Sequence, residues 1–383
     1  MFLERLIKFF ASLRLTVVCL ALGMVLIFAG TLAQVPLGLY QAQNEYFRSF
    51  FVYWQPTHGG WKIPVLPGGY LLGGLLLINL VAAHAERFSL SRKKAGIWMV
   101  HSGLILLLLG QLFTDMLAHE SSLHLRVGEA RNYTEADRAY ELAITDVTDK
   151  DADKVVAIPE HLLLRQGDIK NAQLPFTIRV DKFYPNSAVT NQATAGFEIP
   201  GVSAGFGATG IWLTSLPKET DMDLRDLPSG IIEIVTPSGS VGSFMISAYF
   251  GAAQQFNVGG RTYTMMLRTE RFYMPYSMRL LAFNHDVYRG TGIDKNFSSR
   301  LVLDRPATGE HRDVLIYMNN PLRYDGVTFY QASFDTDDGG TILQVVHNPS
   351  WITPYLACLL VGAGLITQFL SHLIPFLKRR TTS

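Results

Sequence analysis

Cysteine is nearly missing from this chain. Cys19 and Cys358 are the only two in 383 residues, and both fall inside apolar runs. Without a CxxC pair the chain is neither a thioredoxin-like oxidoreductase nor a carrier of CxxCH-attached haem, and its polar middle has no disulfide. Surplus charge is missing too. With 33 Lys and Arg against 32 Asp and Glu, the net charge is +1, so no basic stripe is available to neutralise phosphates and nucleic acid is excluded as a partner. No nucleophile triad, HExxH helix or Gly-rich phosphate loop stands out.

What the chain has is four long apolar runs, at residues 15–35, 65–83, 96–117 and 351–373. Each is near the ~20 residues that a spanning helix needs, and the first is too long for a signal-peptide core. Arg5, Lys8 and Arg14 precede the first run; Arg87, Arg92, Lys93 and Lys94 fall between the second and third; Lys378, Arg379 and Arg380 follow the fourth. The positive-inside bias makes all three clusters cytoplasmic. The expectation is a multi-pass protein of the plasma (inner) membrane, with both termini and the basic segments 84–95 and 374–383 inside, and residues 118–350 outside as a periplasmic domain.

Residues 1–14 place Leu3, Leu6, Phe10 and Leu13 at helical spacing and read as an amphipathic helix lying at the bilayer surface. Residues 36–64 are rich in aromatics, among them Tyr40, Phe51, Tyr53, Trp54 and Trp61, which suit the depth of lipid headgroups. Small residues recur at seven-residue spacing in the third run, at Gly96, Gly103 and Gly110, and predict close helix packing. His101 lies in the same run, about 160° round the helix from Gly103. If the glycines pack inside the protein, the imidazole faces something else. A group able to ligate a metal or carry a proton is costly among lipid tails, so His101 is the first functional candidate.

Between the third and fourth runs the pattern is β: period-two alternation in FTIRVDKF from Phe176, IIEIV from Ile231, SRLVLD from Ser299 and DVLIYMN from Asp313, bounded by turn residues. LPFTIRVDKFYP from Leu174 and MPYSMRLLAFNH from Met274 align without gaps. The fold class is therefore membrane α plus β: four transmembrane helices and a large extracytoplasmic β-sandwich-like domain containing two related halves, with 174–183 and 274–283 equivalent.

Taken together, SLRLTVV from Ser12, GTLAQV from Gly30, GIWMVHSGLILLLLGQ from Gly96, YRGTG from Tyr288, MNNPLRYDGVTFYQASFD from Met318 and NPSWITPY from Asn348 resemble the ResB (CcsB) proteins of system II cytochrome c biogenesis. The resemblance runs along nearly the whole chain, in the family's order. It implies a subunit, not an enzyme on its own, of a haem-attachment complex that works with a CcsA/ResC-type membrane partner. Together they deliver haem b in transit to apocytochrome c. It also implies that His101 is an axial ligand, the second coming from the partner or another span, and that metal is held only through haem iron. The chain carries no WGxxW-like motif and should not attach haem alone.

His84, beside Glu86 and Arg87, is expected to be solvated at the bilayer surface, and is a lesser candidate for contact with haem or a propionate. His119, His124 and His347 flank the third and fourth runs and invite a metal-site reading, but solvated side chains are expected. Two rivals remain. One is a scaffold that binds no haem and only stabilises the partner; the other is an electron-transferring cytochrome, for which His84 and His101 form no evident pair along the sequence. His58, His161, His285, His311 and His372 carry no chemical argument.

Overall fold

The computed structural model describes residues 2–54, 60–86, 94–149, 153–219 and 224–381. His58, Arg87, Arg92 and Lys93 lie outside the described residues, as do the side chains of Leu3, Lys378, Arg379 and Arg380. Two compact units emerge, one helical and one built of strands.

The helical unit contains α1 (Phe2–Phe10), α2 (Leu13–Ala42), α3 (Gly69–Glu86) and α4 (Ala95–Leu117), and it is joined by α6 (Thr353–Thr381); the short α5 (Glu160–Leu163) belongs to the strands. Among the described residues, four stretches are long and apolar enough to cross a membrane: Leu13–Phe47, Gly69–Glu86, Ala95–Leu117 and Thr353–Leu377. The second starts later than the hydropathy suggested, because Ile63–Pro67 pairs as a strand with Phe51–Trp54, and prolines at 64 and 67 cannot continue a helix. The aromatic segment is accordingly not all loop. Pro36 sits inside α2, which kinks at Gly38 (φ 75°) and ends in one π-helical turn, Gln43–Phe47.

A buried amide ties the start of the unit together. Asn79 on α3 accepts from the Thr16 hydroxyl at 2.7 Å and donates to the carbonyls of Phe10 and Ser12, the latter at 3.1 Å. Ser12 in turn caps α2 by accepting from Leu15 N at 3.3 Å. At the opposite end, Asp115 of α4 takes the Arg48 guanidinium at 3.1 Å and the Tyr70 hydroxyl.

The strand unit has two cores. A ten-stranded sheet runs in the order Glu310–Tyr317, Asp294–Arg305, Arg261–Val287, Ala130–Asp146, His119–Arg126, Gly340–His347, Val327–Phe334, Leu322–Tyr324, with Gln254–Val258 and Lys154–Pro159 paired onto the two long strands. A four-stranded sheet runs Gly239–Ser247, Ser229–Thr236, Thr177–Tyr184, Gly167–Lys170. Leu142, Ile144, Met265 and Leu267 of the large sheet face Ile178, Ile232 and Ile234 of the small one, so this half is a sandwich. The other half is not. Leu125, Met278, Leu301, Ile316, Phe329 and Leu343 come from six strands of the one large sheet, which curls around them. The register break between Tyr273 and Met278, in a strand of 27 residues, supplies the bend that lets one sheet serve both cores.

The segments matched in sequence sit one in each core. Phe176, Ile178 and Val180 are buried, as are Tyr276, Met278 and Leu280, and the intervening residues share the same degrees of exposure. Each strand also carries a bulge at the same place. Ile231 and Ile232 pair with Lys182 and Val180, leaving out Asp181; Leu280 and Ala282 pair with Leu301 and Arg300, leaving out Leu281.

Candidate functional site

The glycine stripe fixes which way α4 faces. A Cβ at Gly96 would lie 2.7 Å from Gln368 Cβ and from the Gly364 carbonyl, one at Gly103 would lie 2.7 Å from Val361 Cγ2, and one at Gly110 would lie 2.4 Å from Thr353 Cγ2. Only glycine permits this approach, so α4 lies against α6 along its whole stripe.

His101 is thereby turned away from α6 and toward α3. There its ring centroid is 5.5 Å from that of His84, with the planes tilted by 52°. Trp98, one turn before His101 on α4, meets the His84 ring edge-on at 3.9 Å. His84 Nε2 is buried and has no hydrogen-bond partner. His84 is half-buried rather than fully solvated, and its ring lies beside that of His101, a proximity that the sequence did not show. The reason is geometric. Consecutive helices run antiparallel, so the last turn of α3 comes beside the second turn of α4, and residues 17 apart in sequence become neighbours.

A buried, unpartnered imidazole nitrogen is costly unless something binds it. Two imidazoles are too few to enclose a bare divalent ion, and among the described residues no group of three or more His, Cys, Asp or Glu could hold one. An imidazole nitrogen such as that of His101 would supply one ligand to haem iron, and the apolar helices would suit the ring. The residues present therefore fit haem.

The other histidines divide differently from the sequence reading. His119 and His347 lie parallel, centroids 6.5 Å apart, and both are exposed. His124 is occupied elsewhere, with Nε2 2.9 Å from Asp335 Oδ1, so the three do not converge. His285, which carried no argument, proves the most engaged: Nε2 is 2.8 Å from Asp294 and Nδ1 3.0 Å from Asp338, and the ring packs on Phe334. The Asp294 hydrogen bond, seconded by Asp338, raises its pKa above the usual imidazole value. Nothing local in the sequence could have found it, because His285 and Asp294 come from two strands and Asp338 from a distant turn. The pair at Trp98 and His101 did have a signal, their three-residue spacing in an apolar run.

The MNNPLRYDGVTFYQASFD stretch is structural in the main. Asn319, Asp325 and Gly326 have positive φ and set its turns, Phe329 is fully buried, and Tyr324 donates to Glu310 at 2.6 Å. Tyr330, next to Phe329, is 38% exposed.

Comparison with known proteins points one way. Residues 238–342 match the ResB-like family. Over 304 residues the chain is 25% identical to the protein NrfI of Wolinella succinogenes, an alignment covering 78% of this chain and 29% of that protein. Over 140 residues it is 29% identical to the cytochrome c biogenesis protein CcsB of Trichormus variabilis, and equally to that of Nostoc sp., covering 36% of this chain and 30% of each relative. The chain thus spans less than a third of the length of the curated relatives it matches.

Proposed function

We propose that this ResB-type chain serves cytochrome c biogenesis as a non-catalytic membrane subunit, holding haem b in transit for a CcsA/ResC-type partner that presents it to apocytochrome c. The observation that carries the reading is His101, an imidazole within an apolar helix that the glycine stripe turns from the α4–α6 contact toward α3. Haem supplies the iron and the vinyl groups at which thioether bonds form. The chain's part is to donate the His101 lone pair, to keep that ring correctly turned, and to exclude water around it. In this reading the three basic clusters lie in the cytoplasm and the strand unit lies outside, next to where apocytochrome arrives. The strand unit is two related halves; the shared burial of 171–180 and 271–280 and the matching bulges at Asp181 and Leu281 support this.

The test is His101→Ala in the complex with its partner. The expected result is an inserted, folded complex that loses the haem absorption band and matures no cytochrome c, with both partly restored by added imidazole. A full haem complement with an unchanged spectrum would refute the ligand role.

A further inference from the structure

We propose that the turn 335–339, which joins the strands Val327–Phe334 and Gly340–His347, is a pH-sensitive catch: His285 with both ring nitrogens protonated holds it shut, and loss of one proton lets it go. The geometry assigns the charge. Nδ1 lies 3.0 Å from Asp338 Oδ1 and Nε2 lies 2.8 Å from Asp294 Oδ1. An ionised carboxylate only accepts, so both nitrogens must donate. A neutral ring has a single N–H: it can serve one carboxylate, and its other nitrogen then turns a lone pair on the second. The sign follows. The folded pKa lies above 6.5 because the Asp294 and Asp338 hydrogen bonds favour the charged ring, so the catch is closed below 6.5 and opens as pH rises through the folded value.

Asp338 is the carboxylate that gives way. Asp294 is pinned in the ladder opposite Val287, whereas Asp338 is on an exposed turn at φ 56°, a conformation that persists only while its surroundings hold it. Crowding of like charge adds to the strain, since Asp335, Asp337 and Asp338 are close neighbours in the chain. Besides His285, the cations facing them are Arg126, which bonds Asp337 and lies 3.5 Å from Asp335, and His124, 2.9 Å from Asp335. Glu129, which accepts from the Arg126 backbone N–H at 3.0 Å, adds a further negative charge on that side. Arg126 stays charged at every working pH. The Asp337 side of the turn therefore remains anchored while the Asp338 side swings out, and the Nδ1 proton passes to water. The His285 ring rests on Phe334 at 4.3 Å, and Phe334 meets Phe283 and Phe297 at 5.5 and 5.2 Å, so release also loosens the cover of this aromatic group.

The experiment is amide hydrogen exchange read by mass spectrometry on the purified full chain in detergent, stepped from about pH 5 to about pH 9 and corrected for intrinsic base catalysis. Peptides covering 335–340 should lose protection at least about tenfold across the titration of His285, the strength of one charge-assisted hydrogen bond. Peptides covering the buried Met265 and Leu267 should not change. His285→Gln should exchange as fast at acid pH as the wild type does at alkaline pH. Asp338→Asn separates the catch from a general loosening: its amide can donate to a neutral Nδ1 while Nε2–H serves Asp294, and asparagine tolerates positive φ, so this turn should stay protected at alkaline pH. The proposal is overturned if wild-type protection of 335–340 is flat over the range, if His285→Gln keeps the wild-type protection at acid pH, or if Asp338→Asn loses protection at alkaline pH as the wild type does.

Discussion

Glu141 is among the most buried charged residues in the strand unit, at 4% exposure, and it survives there because Arg268 on the neighbouring strand bonds it twice, at 2.9 and 2.8 Å. Arg268→Met should therefore leave a buried, unpaired carboxylate and cost about 3–5 kcal/mol, read as a fall in the denaturant midpoint. Replacing both residues by apolar ones of similar size should recover most of it; if the single variant is neutral, the pair does not matter. His285 makes a prediction in pH. Its folded pKa is raised above 6.5 by Asp294 and Asp338, so the stabilisation is fully present below 6.5 and is lost as pH rises through the folded value. His285→Gln should lower the unfolding temperature at mildly acid pH and matter progressively less toward alkaline pH. A ring titrating at or below 6.5 by NMR would contradict this. Both residues show why parts of the molecule could not be read in advance: Glu141, Arg268, Asp294 and Asp338 look like ordinary surface charges until strand register brings them together.

At the scale of elements, α4 gives the sharpest contrast. Gly103→Leu would drive its side chain into Val361 and the Ala357 carbonyl, 2.9 Å from the Cβ position, and should abolish the monodisperse size-exclusion peak. Gly362→Leu, on α6 but with nothing within 4 Å, should leave it intact, and equal behaviour of the two variants would mean that the stripe does not set the packing. The glycine repeat, the apolar runs and the alternating strands were legible because periodicity is local to an element. The partner of His101 was not. Which residue of α3 reaches it depends on how two helices dock, and no pattern within either one encodes that. The repeat was legible as a match of residues, but the curl of the large sheet around its second core was not, since bends follow from bulges that alternation does not reveal. In an experimental structure, 171–183 and 271–283 should superpose with bulges at Asp181 and Leu281; unrelated surroundings would end the idea of duplication.

Across the whole molecule, orientation is the open test of the reading proposed here. A reporter inserted after Asp168 should be active only outside the cytoplasm, and one fused after Ser383 only within it; a cytoplasmic signal at Asp168 would invert the scheme and remove the strand unit from the side where apocytochrome arrives. The three glycines of α4 also bear on movement. They repeat every seven residues over 14 positions, a spacing that makes two helices coil left-handedly about each other instead of touching at one crossing. A helix wound to its neighbour along some 21 Å cannot roll about its own axis without unwinding the pair. The α4–α6 pair is thus one fixed wall of the helical unit, and it sets the heading of every side chain that α4 carries, His101 included.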